Sequence, residues 1–194
     1  MAGPQDSYLG YWNRGGGASG EHSHAINLWQ FFANELQLGR TTDVSAALTY
    51  CQTEQVDYDK LCLLHLKTET GLVGRVVQDV ITSPPRKWAR IQGSNGFVEL
   101  TIGIEPGVDQ VIAQFDQEEP QRQRISKTRP DDFIWELQHI DSVLQGKDNR
   151  SSIALERGLE TMMVVSAAHL SNTNHRTVHI NYKNGYSAQA LELL

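Results

Sequence analysis

The residues best suited to chemistry lie between positions 11 and 29, where glycines, histidines and acids stand close together. Glu21, His24 and Asn27 are spaced by three, so their side chains share one face of any helix that starts here. A histidine titrates near neutral pH and can move a proton to or from an alcohol as a carbonyl forms. The spacing therefore indicates an acid–base role for His24, although a histidine that only packs locally fits the same pattern.

Three side chains beside the glycines are candidate substrate contacts. Tyr11, Trp12 and Arg14 precede Gly15, and a glycine-rich segment next to a helix start lets a small polar ligand approach closely. Simple packing of the loop explains the same residues, so both interpretations stay open.

The glycines also spell the dinucleotide-binding pattern G-x-G-x-x-G, at Gly15, Gly17 and Gly20. That pattern needs a buried strand before it, a helix after it and an acid about 20 residues further on. Asp43 lies at the right distance, but the segment 8–14 is a poor buried strand and hairpins follow. The sequence therefore argues against a nucleotide cradle here and leaves any cofactor-binding residues unknown.

A metal site is the other alternative, because His22 and His24 form an H-x-H pair beside Glu21. Metal sites of that type place the pair on a strand, whereas this pair opens a helix. Two residues apart on a helix, the side chains point roughly 200° apart and cannot easily bind one ion. We therefore expect no metal.

Apolar periodicity predicts one helix, a run of strands, two helices and a final strand, after an irregular lead-in loop at 1–19. The first helix, from Glu21 to about Leu38 with a left-handed Gly39 after it, is apolar nearly all round and should be mostly buried. From 42 to about 127 the pattern alternates, and the short links favour antiparallel hairpins. The last elements are a helix from Asp131 or Asp132 to Leu144 ended by Gly146, a helix from Ser151 or Ser152 to about Leu170 with Met162, Val165, Ala168 and His169 on one side, and a strand from Thr177 to Tyr182.

This order predicts an α+β fold, an open, mostly antiparallel sheet with helices packed on one face. The segment 61–66 is apolar on both sides, so the other face needs a cover as well. A second subunit packing sheet against sheet would supply it, and we expect a homo-oligomer.

Length and composition indicate one ordinary globular domain spanning 1–194. The 194 residues carry a net charge of −6 with scattered basic residues, which argues against nucleic-acid binding. No apolar run suits a membrane span, and the start lacks the features of a signal peptide. Cys51 and Cys62 lie in apolar strand-like runs and should be small buried hydrophobes, which suggests a reducing, cytoplasmic location.

Four stretches together resemble the Gfo/Idh/MocA family of oxidoreductases, which includes glucose-fructose oxidoreductase and inositol dehydrogenase. The first is Trp12-x-x-Gly15-Gly16-Gly17 followed by an acid and H-x-x-N-L-W. The others, in the family's order, are the strand turn at 91–99, the helix at 133–146, and the helix at 154–171 with the strand after it.

The resemblance implies that this chain is the substrate-binding and dimer-forming C-terminal domain, without the N-terminal Rossmann domain that binds NAD or NADP. It implies a sugar, polyol or related hydroxy compound as substrate, changed by hydride transfer. The chain alone should bind no cofactor and be inactive. A domain that kept the fold as a non-catalytic binding or dimerisation module is the alternative, and an unrelated ligand-binding domain of the NTF2 type fits the two-helix ending poorly.

Carried over residue by residue, the resemblance makes His24 the catalytic or substrate-contacting histidine. Asn27 stands where the family more often has Asp, and can contact a hydroxyl but cannot act as a base. Gly20 occupies the place of the family's usual acid, so Glu21 serves as the catalytic acid only if the loop is one residue shorter. The five remaining histidines, His65, His139, His169, His175 and His179, belong to no evident site.

Overall fold

A computed structural model describes residues 4–148 and 151–194 of the chain. These residues form two compact units: unit 1 comprises residues 4–81 and 152–194, and unit 2 comprises residues 82–148 and 151. The single domain expected from the chain length stays a prediction, because the compactness of each unit does not show whether the two fold together.

Helices and strands combine in the predicted α+β manner. The helices are α1 (Gly17–Gly20), α2 (His24–Glu35), α3 (Asp131–Leu144) and α4 (Leu155–Asn174). The strands are β1 (Thr41–Gln52), β2 (Asp57–Thr68), β3 (Val73–Asp79), β4 (Lys87–Gln92), β5 (Gly96–Glu105), β6 (Val108–Phe115), β7 (Gln121–Ser126), β8 (Val178–Ile180) and β9 (Leu191–Leu193).

Within the described residues the strands form two antiparallel sheets, where the sequence predicted one. Unit 1 contains the order β3-β2-β1-β8-β9 and unit 2 the order β4-β5-β6-β7. The break falls between β3 and β4, where Pro84 and Pro85 follow one another. Proline has no backbone N–H to donate to a ladder, so β3 cannot continue into the next strand.

Among the described residues, the helices of unit 1 pack against one face of its sheet, as predicted. Its inner residues and the helices share the core, and the outer face of β2 and β3 leaves Leu63 and Val77 exposed. The strand register places Ala47, Leu63 and Val77 in one row across this outer face. The largest fully buried core side chains include Ile26, Val44, Cys62, Leu66, Val164, Val178 and Ile180.

Helix α2 begins three residues later than predicted and is less buried. Its buried positions form a single stripe, consisting of Ile26, Gln30 and Ala33. Phe31 and Leu36 are exposed, so the prediction that most of the helix is buried was wrong. A helix lying on an open sheet contacts it along one stripe only. Left-handed residues follow the helix at Gln37 and, as predicted, at Gly39, with φ values of 56° and 78°.

Helix α3 has the predicted bounds, and the left-handed Gly146 follows it at φ 69°. Neither Asp131 nor Asp132 is its N-cap, because Pro130 occupies that position. The two acids lie in the first turn instead, where the helix dipole favours negative charge.

Helix α4 begins at Leu155 after the extended Ala154, so the prediction that Ser151 or Ser152 caps it was wrong. Of the four residues predicted to share one side of the helix, Val165, Ala168 and His169 are buried and Met162 is exposed. The buried residues of this helix are Glu160, Thr161, Met163, Val164, Val165, Ala167, Ala168, His169 and Ser171.

The two ends of the chain hold more structure than the sequence predicted. The lead-in, whose residues 1–3 lie outside the described part, contains three single-turn 3-10 helices between residues 4 and 14. The predicted last strand is shorter, and a further strand, β9, pairs with it. Cys62 is buried as predicted but Cys51 is only half-buried. None of the helices in the described part is long and apolar enough to cross a membrane.

A glycine on β3 provides a test of this packing. A Cβ atom on Gly74 would overlap the indole ring of Trp29, whereas a Cβ on Gly158 in α4 would meet open space. We expect Gly74→Ala to lower the free energy of unfolding by about 1–3 kcal/mol through overpacking. The matched change Gly158→Ala should raise it by up to about 1 kcal/mol, because alanine favours a helix. Urea unfolding measures both, and equal effects would contradict the described contact.

Candidate functional site

The glycine loop, which we define as Tyr11–Glu21, lies against β2 and carries most of the predicted site residues. Residues 16–19 are buried there, within and just before the short helix α1. Gly17 has a left-handed φ of 85°, and a Cβ atom on it would overlap the carboxylate of Asp59. The packing of the chain itself therefore requires glycine at position 17.

Asp59 is a fully buried carboxylate beneath the glycine loop. Its Oδ2 accepts a hydrogen bond from the Ser19 backbone N–H at 2.7 Å, and its Oδ1 has no partner among the described residues. Burial raises the pKa of Asp59, and the hydrogen bonds from Ser19 oppose that rise. Gln78 Nε2 donates to the Ala18 carbonyl at 2.8 Å, so β2 and β3 both pair with the buried backbone of the loop.

The ring of His169, on the buried face of α4, contacts three side chains. Its Nε2 lies 2.9 Å from the Ser19 hydroxyl and its Nδ1 lies 2.7 Å from the Tyr50 hydroxyl. The indole of Trp12 stacks on the ring with a centroid separation of 4.5 Å and an interplanar angle of 23°. Desolvation by burial lowers the pKa of His169 to about 4. The neutral ring therefore donates from one nitrogen and accepts at the other.

Sequence reasoning missed this cluster of Ser19, Tyr50, Asp59 and His169. Its members come from α1, β1, β2 and α4, and Ser19 and His169 are 150 residues apart. No local spacing can reveal a contact of that kind. The position of His169 on an apolar helix side was the one available signal, and it indicates burial rather than a partner.

Tyr11, Trp12 and Arg14 use much of their surface in contacts within unit 1. The Tyr11 hydroxyl donates to the Gln55 carbonyl at 2.8 Å, and the Arg14 guanidinium lies 4.5 Å from the Tyr11 ring centroid. Trp12 Nε1 donates to Asp57 at 3.2 Å, while 37% of the residue stays exposed. The structure thus favours a packing role for Tyr11 and leaves one part of Trp12 and the exposed Arg14 open to a ligand.

His24 and Glu21 are both exposed, three residues apart, where α2 starts. Glu21 Oε2 accepts a hydrogen bond from the Tyr8 hydroxyl at 2.6 Å. Asn27 donates to Thr161 Oγ1 across a longer 3.4 Å, in the contact between α2 and α4. The structure therefore leaves the His24 side chain accessible and directs the Asn27 amide towards a neighbouring helix.

The predicted residues are not all neighbours. Trp12 contacts His169 and Asn27 contacts Thr161, and these two positions on α4 are eight residues apart. Eight residues rise roughly 12 Å along a helix. The predicted residues consequently spread over one exposed surface rather than surrounding one enclosed pocket.

The glycine loop does not fit the pyrophosphate of a dinucleotide. Turns of 3-10 helix, rather than a strand, precede Gly15. The helix that follows at once, α1, is four residues long, too short to supply an extended dipole. The buried Asp59 carboxylate beside Gly17 would also repel a phosphate. We therefore assign no cofactor contact to this loop.

Metal ligands and enclosed cavities do not mark a site either. Within residues 4–148 and 151–194, no group of three or more His, Cys, Asp or Glu side chains is placed to hold a metal ion. A groove of about 270 Å³ in unit 1 contains none of the predicted site residues. Its lining residues are Leu159, Met162, Met163, Ser166, Tyr186, Ser187, Ala188 and Leu191.

Comparison with known proteins bears on the fold. No family model and no curated protein matches the sequence. Aldose-aldose oxidoreductase from Caulobacter crescentus, complexed with glycerol, is 19% identical with a TM-score of 0.70, over 92% of this chain and 52% of that one. An NAD-binding oxidoreductase from Klebsiella pneumoniae is 18% identical with a TM-score of 0.69, over 89% and 53%. The super-repressor mutant of Gal80p from Saccharomyces cerevisiae is 10% identical with a TM-score of 0.66, over 89% and 52%.

The fold is of the Gfo/Idh/MocA type. The predicted resemblance is thus confirmed at the level of the fold, including its α+β class and open antiparallel sheets. The chain spans about half the length of each structure described above. Identities below one fifth carry no information about substrate or site residues.

The buried His169 makes the free energy of unfolding depend on pH. Its folded-state pKa of about 4 lies below the value of about 6.5 for an unfolded chain, so the unfolded state takes up the proton first. We expect His169 to reduce the free energy of unfolding as pH falls from about 6.5 to about 4, by up to roughly 3 kcal/mol.

Urea unfolding of the wild type and His169→Gln between pH 4.5 and 7 isolates this contribution from that of Asp59, which is common to both proteins. The stability of the wild type should fall more steeply than that of the variant as pH decreases. Parallel profiles would show that His169 does not titrate as its burial requires.

Proposed function

We propose that this chain is the substrate-binding and dimer-forming portion of a cytoplasmic NAD(P)-dependent oxidoreductase acting on a sugar, polyol or related hydroxy compound. One observation carries the proposal: the chain builds about half of the fold of NAD-binding oxidoreductases and leaves an accessible histidine just after its glycine loop. NAD or NADP would be held by a Rossmann domain outside residues 1–194, where it would supply or accept hydride.

In this proposal the residues of the chain bind the substrate and move its proton. His24 takes the proton from a hydroxyl group as the carbonyl forms, or returns it in the reverse direction. Glu21, paired with Tyr8, lies one turn away and can orient the imidazole. Arg14 is suited to bind substrate oxygens. The exposed part of the Trp12 indole is suited to pack on the carbon–hydrogen face of a sugar or polyol. We assign a weaker contact to Asn27 and Tyr11, because both side chains already have partners.

A first test concerns the cofactor. The isolated chain should show no measurable binding of NAD(H) or NADP(H) by isothermal titration calorimetry, because the glycine loop cannot accept a pyrophosphate. Binding with a dissociation constant in the micromolar range would contradict the proposal that a separate Rossmann domain holds the cofactor.

A second test concerns His24. A Rossmann domain from a related oxidoreductase is supplied in trans, and hydride transfer is followed at 340 nm with a panel of aldoses and polyols. His24→Ala should lower the rate by about 100-fold or more, since general acid–base catalysis typically contributes that much. His22→Ala is the matched control and should change the rate little, because His22 is also exposed but lies in the turn before α2, outside the position that the resemblance assigns to the catalytic histidine.

The alternative is a binding or dimerisation module without chemistry. The fold match to the super-repressor mutant of Gal80p and the glycine at position 20 favour this alternative. The same panel of aldoses and polyols separates the two functions when binding is also measured by calorimetry: specific binding of one of them without any hydride transfer would support the module.

A second copy of this chain is the partner that we propose for the outer face of the unit 1 sheet. The row of Ala47, Leu63 and Val77 is apolar, and Leu63 and Val77 are exposed. A charged row crosses the same face, where His179 Nδ1 lies 2.7 Å and Lys67 Nζ 3.9 Å from Asp43. Two copies related by a two-fold axis could bury the apolar rows, and stable interfaces bury about 800 Å² on each partner.

Sedimentation velocity tests the dimer. Leu63→Glu combined with Val77→Glu should shift the chain to monomer at high micromolar concentration, because both charges would be buried in the interface. Met162→Glu is the control on the helix side, where the residue is 51% exposed compared with 54% for Val77. A monomeric wild type, or equal effects of both variants, would contradict the proposed face.

A further inference from the structure

Two residues of the glycine loop, one near each end, contact the same side chain. Trp12 at the beginning and Ser19 near the end are seven residues apart in sequence, and both contact the ring of His169. Between them lie Arg14 and the buried glycines. A contact that closes a short loop at both ends removes most of its conformational freedom.

A second hydroxyl holds the His169 ring at the nitrogen that does not face Ser19. Tyr50 on β1 bonds to Nδ1 at 2.7 Å while Ser19 bonds to Nε2 at 2.9 Å, so both ring nitrogens have a partner. The ring therefore fixes the position of the loop relative to both the central strand β1 and helix α4. Ser19 is fully buried and also donates its backbone N–H to Asp59, which gives this residue a second fixed partner on β2.

We propose that His169, through its hydrogen bond to Ser19, is a positioning residue that sets where the glycine loop presents Trp12, Arg14 and Glu21. Glu21 follows Ser19 by two residues and His24 follows it by five, so a shift of Ser19 moves the start of α2 as well. The inference rests on the proposed function, since these side chains form the proposed substrate surface.

A residue that merely fills the core would act differently. Filling space depends on volume, and its loss would loosen the surroundings of His169 in all directions. A positioning role depends on one ring nitrogen, Nε2, and its loss would loosen the glycine loop while the Tyr50 side of the ring stays ordered.

Two amide substitutions separate the nitrogens. The side-chain amide of Gln reaches the place of Nε2 and can bond Ser19, whereas the shorter amide of Asn reaches the place of Nδ1 and can bond Tyr50. Both substitutions remove the stacking on Trp12, so that loss is common to the pair. His169→Gln and His169→Asn therefore differ in which hydroxyl keeps its partner.

Hydrogen–deuterium exchange of the full chain, resolved to peptides, provides the readout. We expect His169→Asn to raise exchange of the amides at 16–21 by roughly fivefold relative to His169→Gln, the size of one lost hydrogen bond. Exchange in β5 and β6 of unit 2 should be equal in the two variants. Equal protection of 16–21 in both variants would overturn the proposal.

Two hydroxyl deletions give an independent reading that changes little volume. Ser19→Ala should raise exchange at 16–21, and Tyr50→Phe should raise it less, because only Ser19 belongs to the loop. The reverse order, or a rise throughout unit 1 with Ser19→Ala, would assign His169 to core filling. None of these measurements needs cofactor, substrate or turnover, so failure of the positioning role and failure of the proposed oxidoreductase activity are distinguishable.

Discussion

Residues 16–19 of the glycine loop are a stretch of backbone buried in protein, and buried N–H and C=O groups need hydrogen-bond partners. Most loops avoid this requirement by staying on the surface. Here the sheet provides the partners, Asp59 for the Ser19 N–H and Gln78 for the Ala18 carbonyl. Because Asp59 needs close approach, position 17 accepts only glycine. The location of the proposed site follows from this pairing, since Asp59 on β2 and Gln78 on β3 hold the loop where they satisfy its buried backbone groups.

Sequence patterns predicted the elements better than their assembly. The alternation of apolar residues located the long strands, and the two acids at the start of α3 with Gly146 after it located that helix, because these signals are local. The break of the sheet at Pro84 and Pro85 follows from the same local chemistry, although the strands on both sides suggested one continuous ladder. Strand β9 was missed because three residues are too few to show a period.

Burial and the polar cluster could not be predicted in the same way. The apolar character of α2 suggested burial all round, but an open sheet offers a helix one contact stripe, and Phe31 and Leu36 stay exposed. The histidine that matters for the loop comes from the other end of the chain, and its role depends on a fold that brings α4 beneath Trp12. His24 was identified from local spacing, and the structure leaves it accessible without testing its chemistry.

The proline break between β3 and β4 also changes how the chain avoids aggregation. Two open sheets have two free edges each, and every free edge exposes unpaired N–H and C=O groups to which a foreign strand can add. In unit 2 both edge strands carry basic side chains, Lys87 and Arg90 on β4 and Arg122 and Arg124 on β7. In unit 1 one edge strand, β9, is only three residues long. Charge at both edges of the unit 2 sheet and brevity at the β9 edge of the unit 1 sheet thus disfavour strand addition. A single continuous sheet would have only two edges to protect, whereas the two sheets have four.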